Sequence, residues 1–137
     1  MSNEIPDTLI KFTSFLTRNS FVFEKQFSSP GFGDLLIIYR SQHLNIRLLR
    51  DRCDWFIQIS SAMRSDAWYD IDLIIENATG QTNRNIPTIE EQVKYLQDNW
   101  NNITTMFNTE NENITHASLA YCRKERTKRL FQSREDE

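Results

Sequence analysis

The fold of this chain is decided by residues 34–59, DLLIIYRSQHLNIRLLRDRCDWFIQI. Three apolar runs of strand length lie in this stretch: Leu35–Tyr39, Leu44–Leu49 and Trp55–Ile59. Polar gaps of four and five residues separate them. Gaps this short leave no room for a crossover helix, so the runs are predicted to pair as consecutive antiparallel hairpins.

A fourth strand is predicted upstream of this stretch, because the segment Phe21–Phe27 alternates apolar and polar residues. Alternation within the other strands indicates which face is buried. Ile46 and Ile57 belong to an apolar face, whereas Arg47 and Gln58 fall on a mixed one. One apolar face and one mixed face are typical of an antiparallel sheet that helices cover on a single side.

Helical spacing of apolar residues predicts helices on both sides of the meander. The first runs from about Pro6 to Arg18. A second contains Trp68 and Ile71 and stops at Gly80, since glycine favours helix C-termini. The strongest signal runs from Thr88 to about Phe107 and starts with a capping box. Its apolar stripe consists of Ile89, Val93, Leu96, Trp100, Ile103 and Phe107.

The predicted architecture is α+β, with an N-terminal helix, a four-stranded antiparallel meander and two to three C-terminal helices packed on one sheet face. Residues 1–107 are expected to form one domain. Residues 108–137 are expected to be a polar linker followed by a basic C-terminal helix or a partly ordered tail, since the apolar stripe there is thin.

Charge and composition restrict the classes of function. Residues 1–122 carry 10 basic and 15 acidic side chains, whereas residues 123–137 carry 6 basic and 4 acidic ones. An acidic body disfavours nucleic acid as the main ligand, because phosphate contacts need a surplus of Lys and Arg. The N-terminus has no signal-peptide pattern and no apolar run is long enough for a membrane span, so a cytoplasmic protein is expected.

Catalytic, metal and cofactor motifs are missing from the sequence. His43 and His116 have no metal-ligand spacing, and Cys53 and Cys122 are expected to be free thiols. We therefore expect no cofactor, no metal and no enzymatic activity. The three carboxylates Asp66, Asp70 and Asp72 are candidates for an acid–base group, with Asp66 and Asp70 on one helical face, but helix capping and solvation explain them better.

The segment Arg50–Asp54 packs four charges into a turn directly before Trp55. Aspartates stabilise tight turns through their own backbone hydrogen bonds, which is the structural explanation. Arg and Trp are also enriched in protein-binding hot spots, which is the functional one. The structural explanation is favoured, and the functional one stays open.

Several parts of the sequence resemble a family of small bacterial immunity proteins, which are encoded beside polymorphic or contact-dependent toxins. The points of similarity are Ile46-Arg47, Arg50-Asp51-Arg52 before Trp55, Trp68-Tyr69 and Trp100, within about residues 9–107. The resemblance implies a non-enzymatic protein that binds one toxin and blocks its active site or its assembly.

The functional prediction is therefore a protein-binding protein whose partner is a toxin domain. The alternatives are a small cytosolic adaptor or regulatory domain, or an enzyme with a cleft between sheet and helices. The oligomeric state is not predicted. The predicted contact residues are Arg47, Arg50, Asp51, Arg52, Asp54 and Trp55.

Overall fold

The computed structural model describes residues 5–29, 34–81 and 87–135, and it has an α+β fold. One helix precedes an antiparallel sheet, and the remaining described helices follow it. The elements are α1 (Asp7–Arg18), β1 (Val22–Ser29), β2 (Asp34–Arg40), β3 (Leu44–Asp51), β4 (Asp54–Ser61), β5 (Arg64–Asp70), α2 (Ile71–Thr79), α3 (Ile89–Asp98), α4 (Trp100–Met106) and α5 (Glu112–Glu135).

The strands form a meander in the order β1-β2-β3-β4-β5, and every neighbouring pair is antiparallel. The predicted antiparallel pairing within residues 21–59 is confirmed. The register places Leu48 between Ile37 of β2 and Ile57 of β4, so apolar side chains from three strands lie side by side. Such cross-strand apolar pairs stabilise the sheet.

The prediction of four strands is wrong, because β5 adds a fifth. The sequence predicts a helix that includes Trp68, since Trp68 and Ile71 are spaced as on a helix face. In the structure a two-residue turn at Ala62-Met63 returns the chain along β4, and the helix begins only after Asp70. Tertiary pairing with Ile59 and Gln58 overrides the local helical spacing.

The hydrophobic core lies between one face of the sheet and the helices. From α1 it takes Leu9, Phe12 and Leu16, which recur at helical spacing and are fully buried. The strand residues in the core occupy alternate positions, as side chains of a strand point to opposite faces. They include Leu35, Ile37, Leu44, Ile46, Leu48, Trp55, Ile57, Ile59 and Tyr69.

The helix predicted over 88–107 is divided into α3 and α4. Its start is as expected: the Thr88 side chain accepts a hydrogen bond from Glu91 N, and the Glu91 side chain accepts one from Thr88 N. The division falls at Asn99, whose side-chain amide donates to Tyr95 O over 2.9 Å. The same carbonyl also accepts from Asn99 N over 3.0 Å, and the backbone leaves helical geometry at Asn99, with φ −114° and ψ 21°.

The segment after Phe107 contains α5, which is attached to the domain by apolar contacts, side-chain hydrogen bonds and ion pairs. Leu119 is fully buried, although α5 is otherwise mostly polar. Glu76 of α2 is only 6% exposed, and its carboxylate lies 2.5 Å from Arg129 and 3.5 Å from Arg126. Two guanidinium groups thus balance one buried carboxylate, so part of the basic charge of this segment holds α5 on α2.

None of the helices in the described part of the chain combines the length and the apolar character that crossing a membrane requires.

Candidate functional site

The β3–β4 hairpin ends in a loop of only two residues, Arg52 and Cys53. Both have positive φ angles, 52° and 74°, which is the conformation of a type I′ turn. This turn usually contains Asn-Gly, because side chains with a Cβ are strained in the left-handed region. Arg52 and Cys53 are exposed, so the tip presents a guanidinium and a thiol on a strained but well-defined turn.

Two residues expected at this exposed tip lie elsewhere. Arg50 pairs with Leu35 and Trp55 in the sheet, on the face toward the helices, and is 9% exposed. Trp55 is 8% exposed and belongs to the core, with its ring 5.7 Å from the Arg50 guanidinium. The prediction that the turn begins at Arg50 is wrong, because strand pairing continues up to Asp51, which opposes Asp54.

The opposite face of the sheet, here called the open face, contributes no residue to the core cluster. Strand alternation and register assign its members. In β2 to β5 the open face consists of Leu36, Ile38, Arg40, Asn45, Arg47, Leu49, Phe56, Gln58, Ser60, Trp68 and Asp70, with Asp34, Asp51 and Asp54 at one end.

Arg47 lies at the centre of the open face in a network that spans three strands. Its Nε donates to Gln58 Oε1 over 2.5 Å, and Gln58 Nε2 donates to Asp70 Oδ1 over 2.6 Å. The guanidinium carbon lies 4.5 Å from the centroid of the Trp68 ring. These contacts fix the plane of the guanidinium, which is the preorganisation that an arginine needs to bind a planar anion.

The charge of Arg47 is partly desolvated. Burial lowers the pKa of the guanidinium, and the nearby charge of Asp70 opposes that shift. Within the described residues no carboxylate approaches Arg47 to 4 Å, and its two terminal nitrogens make no hydrogen bond. A carboxylate from another molecule could therefore pair with Arg47 through two parallel hydrogen bonds.

Apolar and acidic residues extend the open face toward the hairpin tip. Leu49 and Phe56 form a directly opposed, half-buried pair next to Arg47. Asp51 opposes Asp54 at the end of the hairpin, and Asp34 precedes Leu35, the β2 partner of Arg50. Like charges that lie opposite each other destabilise a sheet. A cationic group of a binding partner would reduce this repulsion between the aspartates.

A groove of about 510 Å³ runs beside the tip. It lies between the start of β4 and the N-terminus of α3, and it combines apolar side chains with the acidic groups of Asp54 and Glu90. Its lining consists of Pro6, Cys53, Asp54, Trp55, Phe56, Pro87, Thr88, Ile89 and Glu90. The groove extends the acidic end of the open face by one further carboxylate.

Asp66 and Asp70, which are predicted to share a helical face, both lie on β5 before α2 begins. Asp66 is exposed on β5, and Asp70 precedes α2 and accepts from Gln58. Asp72 lies in the first turn of α2, where Arg126 is 3.6 Å away. Burial raises the pKa of Asp72, and Asp70 raises it further, while Arg126 lowers it. Asp70 and Asp72 line a small cavity of about 160 Å³ together with Gln92.

Gln92 was not recognised from the sequence, although it holds α3 against the sheet. Its amide is 1% exposed; Nε2 donates to Trp55 O and Pro87 O, and Oε1 accepts from Ile57 N over 2.8 Å. The sequence does contain a sign of this role: Gln92 is a polar residue on the same helix face as Ile89 and Leu96. Gln92 thereby fixes the groove between β4 and α3.

The histidines and cysteines are not combined into a site. His116 Nδ1 is 2.7 Å from the Tyr69 hydroxyl, and Cys53 and Cys122 are both free thiols, as expected. In the parts of the chain that the structure describes, no group of three or more potential ligands could hold a metal ion.

Comparisons of the chain with protein-family models, with curated proteins and with solved structures return no match. The geometry of the open face is thus the main guide to function.

Proposed function

We propose that this protein binds a bacterial toxin through its open face and neutralises it without catalysis, as an immunity protein. The observation that carries the proposal is the oriented guanidinium of Arg47, which has no carboxylate within 4 Å among the described residues. Binding of this chain would neutralise the toxin by blocking its active site or its assembly.

The composition of the open face supports a protein as the ligand. Protein-binding surfaces combine aromatic and aliphatic area at the centre with charged groups at the rim, and Arg and Trp dominate their energetics. Here Leu49, Phe56 and Trp68 supply half-buried apolar area around Arg47, and Asp51 and Asp54 lie at the rim. The centre of the face would take a carboxylate, and its rim would take basic groups.

The charge distribution supports a basic partner. The body of the chain carries 15 acidic and 10 basic side chains, and three of the acidic ones are at one end of the open face. Nuclease toxins are commonly basic because their substrates are polyanions. Complementary charge would accelerate the encounter of the two proteins and disfavour wrong partners.

The structure divides the six predicted contact residues into two groups according to the sheet face on which they lie. Arg47, Asp51, Arg52 and Asp54 lie on the open face or at its tip and are proposed as direct contacts. Arg50 and Trp55 lie on the helix-covered face, so their role in our proposal is to hold the hairpin in place.

Genetic protection tests this proposal. The product of the gene directly upstream is expressed in a heterologous bacterium, alone and together with this chain. We expect growth arrest by that product alone and recovery when the chain is present. An Arg47→Ala variant should protect less than a Lys11→Ala variant, which alters an exposed cation on α1. Equal growth of cells with and without the chain would contradict the proposal and favour an adaptor role.

A further inference from the structure

We propose that two copies of this chain associate through β1, so that two five-stranded sheets join into one continuous antiparallel sheet. β1 is an edge strand of eight residues. Its apolar side chains are unusually accessible: Val22 is 70% exposed, Phe23 52% and Phe27 53%. A long edge strand with exposed apolar residues is a template for pairing with another strand.

A β-bulge at Glu24 gives β1 a pattern that matches itself. The register shifts between Phe23 and Lys25, so Glu24 is the additional residue. Glu24 lies 2.6 Å from Arg40, which is on the open face, and Lys25 pairs with Ile38 on that same face. The bulge therefore places two neighbouring residues of opposite charge on one side of the strand.

The sides of the other β1 residues follow from their partners. Val22 pairs with Arg40 and Phe27 with Leu36, both on the open face, whereas Phe23 pairs with Tyr39 toward the helices. Along the open face the order of side chains is apolar, acidic, basic, apolar.

When β1 pairs antiparallel with β1 of a second copy, the charged and apolar side chains of the two strands match each other. Around a two-fold axis between Glu24 and Lys25, each Glu24 faces Lys25 of the second copy, and each Val22 faces Phe27. Phe23 then faces Gln26 on the helix side. Opposite charges and apolar side chains in directly opposed positions stabilise strand pairs. A shift of the register by one residue would place Lys25 opposite itself.

The direction of backbone groups along the sheet can be read from the hydrogen bonds at the strand ends. Leu44 O accepts from Ser41 N over 3.1 Å, on the β2 side of β3. His43 O accepts from Ala62 N over 2.9 Å, on the β4 side. Successive residues of a strand alternate between their two neighbours, so Leu44, Ile46 and the other even-numbered residues of β3 direct their backbone groups to β2.

The same alternation, applied to the β2–β3 and β1–β2 pairs, shows which backbone N–H and C=O groups of β1 point away from β2. Ile38 of β2 directs its N–H and C=O to Lys25, which leaves Phe23 and Gln26 to direct theirs away from the sheet. In the proposed register Phe23 of one copy is opposite Gln26 of the other. The outward N–H and C=O groups thus meet in two hydrogen-bonded pairs, and the two bulges face each other across the axis.

The experiment is sedimentation velocity of the full chain between about 1 and 500 µM. We expect a concentration-dependent equilibrium between monomer and dimer, since a short edge-to-edge interface gives weak association. Sedimentation as a monomer over the whole range would overturn the proposal.

Charge variants test the register. Lys25→Glu would place two carboxylates opposite each other twice, so it should weaken dimerisation at least about tenfold. Combined with Glu24→Lys, it should restore dimerisation, because opposite charges again face each other. Lys11→Glu, an equal change of charge on the exposed side of α1, should leave the equilibrium unchanged.

A backbone variant tests strand pairing itself. Gln26→Pro removes an N–H that is directed away from β2, so circular dichroism should show an intact fold while the dimer is lost. If Gln26→Pro unfolds the chain, the comparison of Lys25→Glu with the Glu24→Lys, Lys25→Glu double variant still tests the interface. A dimer that neither Lys25→Glu nor Gln26→Pro weakens would place the contact elsewhere and overturn the proposal.

Discussion

The Arg47 guanidinium carbon lies 4.5 Å above the Trp68 ring, and this pair joins β3 to β5 across the intervening strand. Trp68 occupies this position because β5 extends the meander by one strand. The aromatic face and Gln58 together hold an arginine that is partly removed from water. We propose that this arginine binds a carboxylate of another protein.

The two arginines of the hairpin end should differ in their effect on stability. Arg50→Ala removes a buried side chain beside Trp55 and should lower the free energy of unfolding by about 1–3 kcal/mol. Arg52→Ala changes an exposed side chain and should alter it by less than about 0.5 kcal/mol. Urea titration of both variants checks this. Equal effects would show that the two side chains have similar environments.

The hairpin loop should be stabilised by residues suited to its backbone. In Arg52→Asn combined with Cys53→Gly, both positions receive residues that accept positive φ, so the free energy of unfolding should rise by about 1 kcal/mol. Arg52→Val, a β-branched residue at the same φ, should instead destabilise the chain. Thermal unfolding of the two variants distinguishes them, and destabilisation by Asn-Gly would contradict the type I′ assignment.

Gln92→Leu should be strongly destabilising although it conserves the approximate volume. The change leaves the N–H of Ile57 and the C=O groups of Trp55 and Pro87 without the Gln92 amide, which should cost at least about 2 kcal/mol. Gln97→Leu, on an exposed position of the same helix, is the matched control. Equal urea midpoints for the two variants would show that the buried amide is dispensable.

Asp72 should make stability depend on pH. Burial raises its pKa in the folded protein above the ordinary 3.8, so the folded state binds this proton more tightly than the unfolded state. The contribution of Asp72 is therefore most favourable below the ordinary pKa, and it is lost as pH rises through the raised one. Relative to the parent, Asp72→Asn should gain in melting temperature as pH rises from about 3 to 7. A difference that is constant with pH would contradict the shift.

The antiparallel hairpins, α1 and the start of α3 could be predicted because each depends on local signals. Leu9, Phe12 and Leu16 recur at helical spacing, and Thr88 begins a capping box. β5 could not be predicted, because Trp68 satisfies a helical and a strand pattern equally well until its partner strand is known. The break at Asn99 was missed for a related reason: the apolar stripe continues through it.

The candidate site was predicted in part. Alternation along β3 and β4 placed Arg47 and Gln58 together on the mixed face, and the structure joins them by a hydrogen bond. Trp68 could not be added, since it depends on β5. The sequence predicts a five-residue turn that includes Arg50. Only two residues form the loop in the structure, so β3 extends further and Arg50 is buried.

Isothermal titration calorimetry of the Arg47→Ala variant with the cognate toxin measures whether Arg47 contributes to binding. Lys11→Ala serves as the control, and circular dichroism verifies that both variants are folded. We predict that Arg47→Ala weakens binding by about 1–3 kcal/mol, roughly fivefold to more than a hundredfold, and that Lys11→Ala does not. Dissociation constants for Arg47→Ala and for the parent that agree within about twofold would contradict the account.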